Sequence, residues 1–137
     1  MTPDDLARIH AASFTTPRPW TAVEFTDLLS SPLVFLTQSG PAFALGRVVA
    51  GEAELLTIAT DPAERRAGHG QRCLAIFEAE AAARGARELF LEVSAENHAA
   101  RALYAAAGWA TKARRSRYYT TPEGQQIDAE IMGKNLT

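Results

Sequence analysis

Three sets of residues in this chain have types and spacings that could do chemistry. The first is Glu92, which interrupts the apolar run Leu89-Phe90-Leu91-Glu92-Val93. Apolar runs of this kind mark strands covered on both faces, where an ionised carboxylate is costly unless something pairs with it. Burial would also make it a better base. A glutamate at a sheet end, touching solvent, would leave the same pattern. The second set is Asn97 and Tyr104. Seven residues make about two helical turns, so both fall on one helix face roughly 10 Å apart along the axis. Singly, Asn97 reads as an N-cap and Tyr104 as a core tyrosine. Together they could face one ligand. A tyrosine hydroxyl, of pKa about 10, can give a proton to a departing thiolate whose thiol has a pKa of roughly 8.5. The third is Arg65-Arg66-Ala67-Gly68-His69-Gly70. Two glycines there stand where a loop becomes a helix, and a helix start offers unpaired N–H groups to phosphate oxygens.

The elements that must hold these groups can be read in order. Asp4 to Ser13 reads as a helix, with Leu6, Ile9 and Ala12 or Ser13 near helical spacing. A loop stiffened by Pro17 and Pro19 follows. Thr21 and Glu24 form a capping box for a second helix, to about Leu29. Leu33–Thr37 and Phe43–Val49 read as strands, and Ala50-Gly51 as a hairpin turn into a strand at Ala53–Ala59. Asp61-Pro62 breaks it. The long helix runs from about Gly70 to Ala83, with Gly85 as its C′ residue. A strand at Leu89–Val93, a helix from Asn97 to Ala107 and a strand from Trp109 to Arg115 follow. Tyr118–Thr121 and Ile127–Met132 read as the arms of a closing hairpin around Pro122-Glu123-Gly124. This order predicts an α/β fold with a mixed sheet.

The bulk numbers narrow the class. At 137 residues, the chain suits one domain over residues 1–137. Hydrophobic and charged fractions of 47% and 22% are ordinary for a soluble globular protein. A net charge of −2 predicts no direct nucleic-acid binding. Cys73 is the sole cysteine, so an internal disulfide and a Cys-cluster metal site are excluded, and its expected role is packing; no metal is expected. The acidic start Met1-Thr2-Pro3-Asp4-Asp5 lacks the apolar region of a secretory signal, and no stretch approaches the ~18 apolar residues of a membrane span. A cytoplasmic location is the expectation.

The glycine pair is not a dinucleotide fingerprint, since Cys73 takes the third glycine's place, and no Lys-Ser/Thr follows to make a P-loop. Taken together, Leu56-Thr57-Ile58-Ala59-Thr60-Asp61-Pro62, Arg65-x-x-Gly68-x-Gly70, Leu91-Glu92-Val93, Asn97 and Ala102-Leu103-Tyr104-x-x-x-Gly108-Trp109 resemble the core of the GNAT acetyltransferases in order and spacing. Pro19-Trp20-Thr21 with Phe25, and Arg115-x-Arg117-Tyr118-Tyr119 with Asp128-Ala129-x-Ile131-Met132, resemble the RimI-type ribosomal-protein alanine N-acetyltransferases. The resemblance is close over about residues 53–134 and loose before that.

The resemblance implies a GNAT fold, a central, mostly antiparallel mixed sheet flanked by helices. It implies acetyl-CoA as cosubstrate, with backbone groups of Ile58, Ala59 and Thr60 along its pantetheine arm. Arg65 belongs to the same loop motif, and amides of Arg66, Ala67, Gly68, His69, Gly70 and Gln71 would hold its pyrophosphate. Asn97 would touch the cofactor arm. Glu92 would act as general base through water, and Tyr104 as general acid. The acceptor would be a protein N-terminus, that of a ribosomal protein beginning with alanine, attacked directly without a covalent enzyme intermediate. An α-amine, of pKa about 7.7–8.0, suits a single carboxylate base better than a lysine of about 10.4. The alternatives are a small-molecule amine acetyltransferase on the same fold and a non-catalytic acyl-CoA-binding module. Departures from the family pattern are His69, Thr60, Trp109 and a short Phe43–Glu54 region.

Overall fold

The computed structural model describes residues 1–14, 18–64 and 67–136. Its elements are α1 (Pro3–Ser13), α2 (Ala22–Leu29), β1 (Val34–Ser39), β2 (Ala42–Val49), β3 (Glu52–Thr60), a 3-10 turn (Pro62–Glu64), α3 (His69–Ala83), β4 (Glu88–Ser94), α4 (His98–Ala106), β5 (Ala110–Thr120) and β6 (Gln126–Asn135). The six strands form one sheet in the order β1-β2-β3-β4-β6-β5. The β3–β4 pair is parallel, and the other pairs are antiparallel.

Each sheet face carries its own core. On one, α3 and α4 bury Cys73, Leu74, Phe77 and Tyr104 against Leu55, Leu89, Leu91, Val93 and Met132. On the other, Leu6 and Ile9 of α1 and Phe25 of α2 pack on Phe43, Leu45 and Ala59. Gly46 lets α3 lie this close. A Cβ there would come within 2.5 Å of the Phe77 ring and 2.6 Å of the Phe35 ring. Those two rings are stacked, with centroids 5.6 Å apart.

The parallel pairing of β3 with β4 is short. It joins Glu52, Ala53 and Glu54 to Glu88, Leu89 and Phe90, and no further pairs follow. Against β2, Leu45 pairs Thr57 while the next residue, Gly46, pairs Leu55, so Leu56 is an extra residue on β3. A bulge bends the strand that carries it. This one lies two residues beyond the last β3–β4 pair, in the stretch where the two strands have parted.

Three sequence expectations need correction. β4 is covered on one face only: Leu89, Leu91 and Val93 are buried, while Phe90 is exposed and Glu92 half-buried. The apolar run reads as doubly covered because Phe90 is apolar, but α1 and α2 pack over β1 to β3 and leave it open. The third inward residue of α1 is His10, not Ala12 or Ser13, because His10 finds polar partners inside. The segments 109–115 and 118–121 belong to one strand, β5, kinked where Arg117 takes φ 52. The Thr21–Glu24 capping box is present with both of its bonds.

His10 makes one consequence testable. Its Nδ1 accepts the Trp20 amide N–H at 3.0 Å, which leaves the proton on Nε2 to be donated to Thr57 Oγ1 at 3.0 Å. Desolvation lowers its pKa from 6.5 to about 4. The folded state therefore resists a proton that the unfolded chain accepts. The stability this confers is complete above pH 6.5 and is lost as pH falls from 6.5 toward about 4. Between pH 7 and 4.5 the stability advantage over His10→Gln should shrink by roughly 2–3 kcal/mol. Urea unfolding of both proteins at the two pH values measures it, and an unchanged gap would refute the assignment.

Candidate active site

Where β3 and β4 part, a cleft of about 340 Å³ opens between them. Leu55 to Thr60 form one wall and Leu91 to Ser94 the other. Since the ladder stops at Glu54, β3 from Leu55 to Ala59 has no strand on its β4 side. A ligand with amide groups could take that place by adding to the strand edge. Of the residues implicated from sequence, Ile58, Ala59, Thr60, Gly70, Glu92, Asn97 and Tyr104 all line this cleft. Ala67, Gly68, His69 and Gln71 lie at the adjoining start of α3. Arg65 and Arg66 fall outside the described residues.

The start of α3 is built without a side-chain cap. Gly68 is the N-cap in the left-handed region, with φ 78. Arg72 folds back, donating to the Ala67 carbonyl at 2.8 Å and to His69 Nδ1 at 3.0 Å. The His69 ring lies against Gly40 of the β1–β2 turn. With no side-chain oxygen on the first amides, the helix start suits an anion.

The two glycines differ in what they require. Gly68 needs glycine for its backbone angle, so any substitution there disturbs the fold as well. Gly70 is helical, and a Cβ on it would meet Thr60 Oγ1 at 3.6 Å and Leu103 Cδ2 at 3.8 Å, which is ordinary contact. The fold makes no demand for glycine there, yet the position opens on the cleft. If this helix start holds the phosphates of the acetyl-CoA that the sequence resemblance implies, Gly70→Asp should weaken that binding by at least about tenfold, through bulk and like charge. Gly70→Ala should keep the melting temperature. Calorimetric titration checks both, and full affinity in a folded Gly70→Asp would remove this helix start from the site.

Glu92 and Tyr104 reach the cleft from opposite faces of the sheet. Directly opposed residues of paired strands share a face. Leu91 pairs Met132, and both lie with Tyr104 under α3 and α4. Glu92 is the next residue along, so its side chain emerges on the side of α1 and α2. It accepts a hydrogen bond from the Tyr119 hydroxyl at 3.2 Å, and the Arg115 guanidinium stands 3.7 Å from its other oxygen. Tyr104 is buried, 6% exposed, and its hydroxyl makes no hydrogen bond to another described residue. Desolvation raises its pKa above the ordinary tyrosine value, so it stays protonated and can only donate.

The helix that carries Tyr104 is pinned at both ends. Asn97 caps it, its Oδ1 accepting the Ala100 N–H at 3.2 Å. The cap occupies the side-chain oxygen and leaves the NH₂ as the group Asn97 can offer a ligand. Arg101, between Asn97 and Tyr104, pairs with the buried Glu130 of β6 and donates to the Ala95 carbonyl. Trp109 packs beside Tyr104 at 5.9 Å, and its indole N–H donates to Glu78. Cys73 is fully buried in α3, and burial pushes its thiol up to about 11, so it is no nucleophile. Sequence reasoning missed Tyr119, Arg115, His10 and the Arg101–Glu130 pair as parts of the site and its support. Glu130, between Ala129 and Ile131, carried a signal of the same kind as Glu92.

A carboxylate and a protonated phenol, approaching one gap from opposite faces beside an open strand edge and an uncapped helix start, suit acyl transfer to an amine. The chain belongs to the acetyltransferase (GNAT) family, whose model matches residues 33–109. It is similar, within that family, to the [ribosomal protein bS18]-alanine N-acetyltransferase of Escherichia coli (strain K12), with 44% identity over 99 residues. That match covers 71% of this chain and 66% of the relative's own length. It is 35% identical over 122 residues to the N-alpha-acetyltransferase RimI of Mycobacterium tuberculosis (strain ATCC 25618 / H37Rv), covering 82% of this chain and 75% of that one. The crystal structure of the ribosomal-protein-S18-alanine N-acetyltransferase from Escherichia coli matches with a TM-score of 0.82 at 35% identity, covering 100% of this chain and 90% of that one. The α/β fold expected from sequence, with its mostly antiparallel sheet, is the observed one.

Proposed function

We propose that this protein transfers the acetyl group of acetyl-CoA to the N-terminal α-amine of a protein beginning with alanine, in the first instance ribosomal protein bS18. The observation that carries the reading is the placement of Glu92 and Tyr104 on opposite sides of the β3–β4 gap. The names of its relatives support the choice of acceptor. Ile58 to Thr60 hold the pantetheine arm by backbone bonds, Asn97 touches the arm, and amides at the start of α3, with Arg65 and Arg66 of the same loop, hold the pyrophosphate. Glu92, through a water, takes a proton from the acceptor ammonium. The free amine attacks the thioester carbon; the C–N bond forms and the C–S bond breaks, the nitrogen gives up its second proton to water, and Tyr104 donates to the leaving sulfur and is reprotonated from solvent. No enzyme nucleophile takes part, in keeping with the buried thiol of Cys73.

No described helix is long and apolar enough to cross a membrane. A cytoplasmic setting, where ribosomal proteins are made, goes with this reading. The test is acetyl transfer from acetyl-CoA to a panel of N-terminal peptides, read by mass spectrometry. A bS18 N-terminal peptide should gain one acetyl group on its α-amine, and peptides blocked at the α-amine but bearing lysines should gain none. Acetylation confined to lysines or to small amines would overturn it.

A further inference from the structure

The Glu92 carboxylate is held from a distance. Tyr119 and Arg115 both belong to β5, and β6 lies between that strand and β4. Two strand spacings are about 9–10 Å, too far for neighbours on a regular ladder to meet side by side. The kink in β5 closes the distance. Arg115 pairs Ala129 and Tyr119 pairs Ile127, so β5 spends four residues where β6 spends two. The surplus loops out around Arg117, whose amide donates to Asp128 Oδ1 at 2.9 Å. Arg114 Nε donates to the other oxygen of the same carboxylate at 2.8 Å. Asp128 thus pins the kink, and Arg115 and Tyr119 reach over the small, fully buried Ala129 to the base. Tyr118 steadies both, its ring 5.1 Å from that of Tyr119 and 5.2 Å from the Arg115 guanidinium carbon.

We propose that Tyr119 is a positioning residue for Glu92: its hydroxyl engages Oε2 and turns the carboxylate so that Oε1 serves the acceptor amine, with Arg115 balancing the charge. The proposal rests on the reading of Glu92 as base. On the open face of β4 an unheld glutamate would sample solvent, and Tyr119 removes that freedom. Burial and the adjacent Glu92 charge raise the Tyr119 hydroxyl above the ordinary tyrosine range, so it remains a donor throughout the working range. Among the described residues, Arg115 and Tyr119 from β5 contact Glu92, and the other titratable side chains that line the cleft are Tyr104 from α4 and His10 from α1; the wall from Leu55 to Thr60 contributes none.

Tyr119→Phe tests this, measured beside Glu92→Gln and the double variant. Removing one hydrogen bond to a charged group should lower kcat by about 10- to 100-fold. Acetyl-CoA affinity, acceptor KM and melting temperature should stay near wild type, and the acidic limb of kcat/KM should move to higher pH. Because Tyr119 acts through Glu92, adding Tyr119→Phe to Glu92→Gln should cost nothing further. Additive losses, a raised acceptor KM at unchanged kcat, or a fall in melting temperature with an unmoved pH profile would each overturn the proposal. A wild-type rate in Glu92→Gln would instead overturn the base assignment itself.

Discussion

Glu92→Gln should bind acetyl-CoA like the wild type and turn over about 100- to 10,000-fold more slowly near neutral pH, the usual size of a lost general base. Affinity should survive because Glu92 emerges on the α1 and α2 side of the sheet, away from α3 and its uncapped start. Folding should survive as well. The side chain is 27% exposed, so the amide is not stranded in an apolar core, and it still accepts from Tyr119. The defect should also depend on pH. Below the acceptor's pKa of about 7.7–8.0 most of the amine carries the proton that a base must remove. Above it most is already neutral, and part of the loss should be recovered. Steady-state rates from pH 6.5 to 9.5 on an alanine-initiated peptide measure this. A variant that matches wild type at pH 7 would end the role.

The parts of this molecule that could be read in the sequence are those whose signal is local. A capping box is four residues long, so Thr21 and Glu24 announce the start of α2. Glycines between an apolar run and a helix announce the loop before α3, and Asn97 announces the start of α4. The parts that could not be read depend on residues meeting across the sheet. The cleft exists because Leu56 is one residue too many for β2 to match, and nothing in Leu55-Leu56-Thr57 marks that. Tyr119 meets Glu92 only because β5 is kinked at Arg117, which the residue type does not foretell. His10 has no place in the apolar pattern of α1 because its two partners, Thr57 and the Trp20 amide, come from other elements. The doubly covered reading of β4 failed for a related reason. Phe90 is apolar yet has no helix above it, so composition could not say which face was open.

Tyr104→Phe should cut turnover heavily while leaving the protein otherwise intact. Phenylalanine keeps the ring that packs among Leu91, Val93 and Trp109 and removes only the hydroxyl. That hydroxyl has no hydrogen-bond partner among the described residues, so the usual penalty for a deleted bond, roughly 0.5–1.5 kcal/mol, does not arise and the melting temperature should hold. The hydroxyl is not one of the enclosed side-chain atoms left without a partner among the described residues, and Tyr104 lines the cleft, where a bound group can accept from it. In the proposed reaction the departing sulfur is the atom there that gains negative charge. The same burial that raises the Tyr104 pKa also favours protonation of a thiolate beside it, so donation stays feasible where both groups are dry. Losing a preorganised donor of this kind costs about 100- to 1,000-fold in kcat in comparable sites. Acetyl-CoA affinity should change little, since the interaction strengthens only as the C–S bond breaks. A thioester donor with a more acidic thiol should show a smaller defect, because its sulfur needs less help to leave. A core tyrosine with no part in the chemistry would give wild-type rates with both donors, and that result on an authentic α-amine acceptor would transfer the protonation step to solvent or to another group.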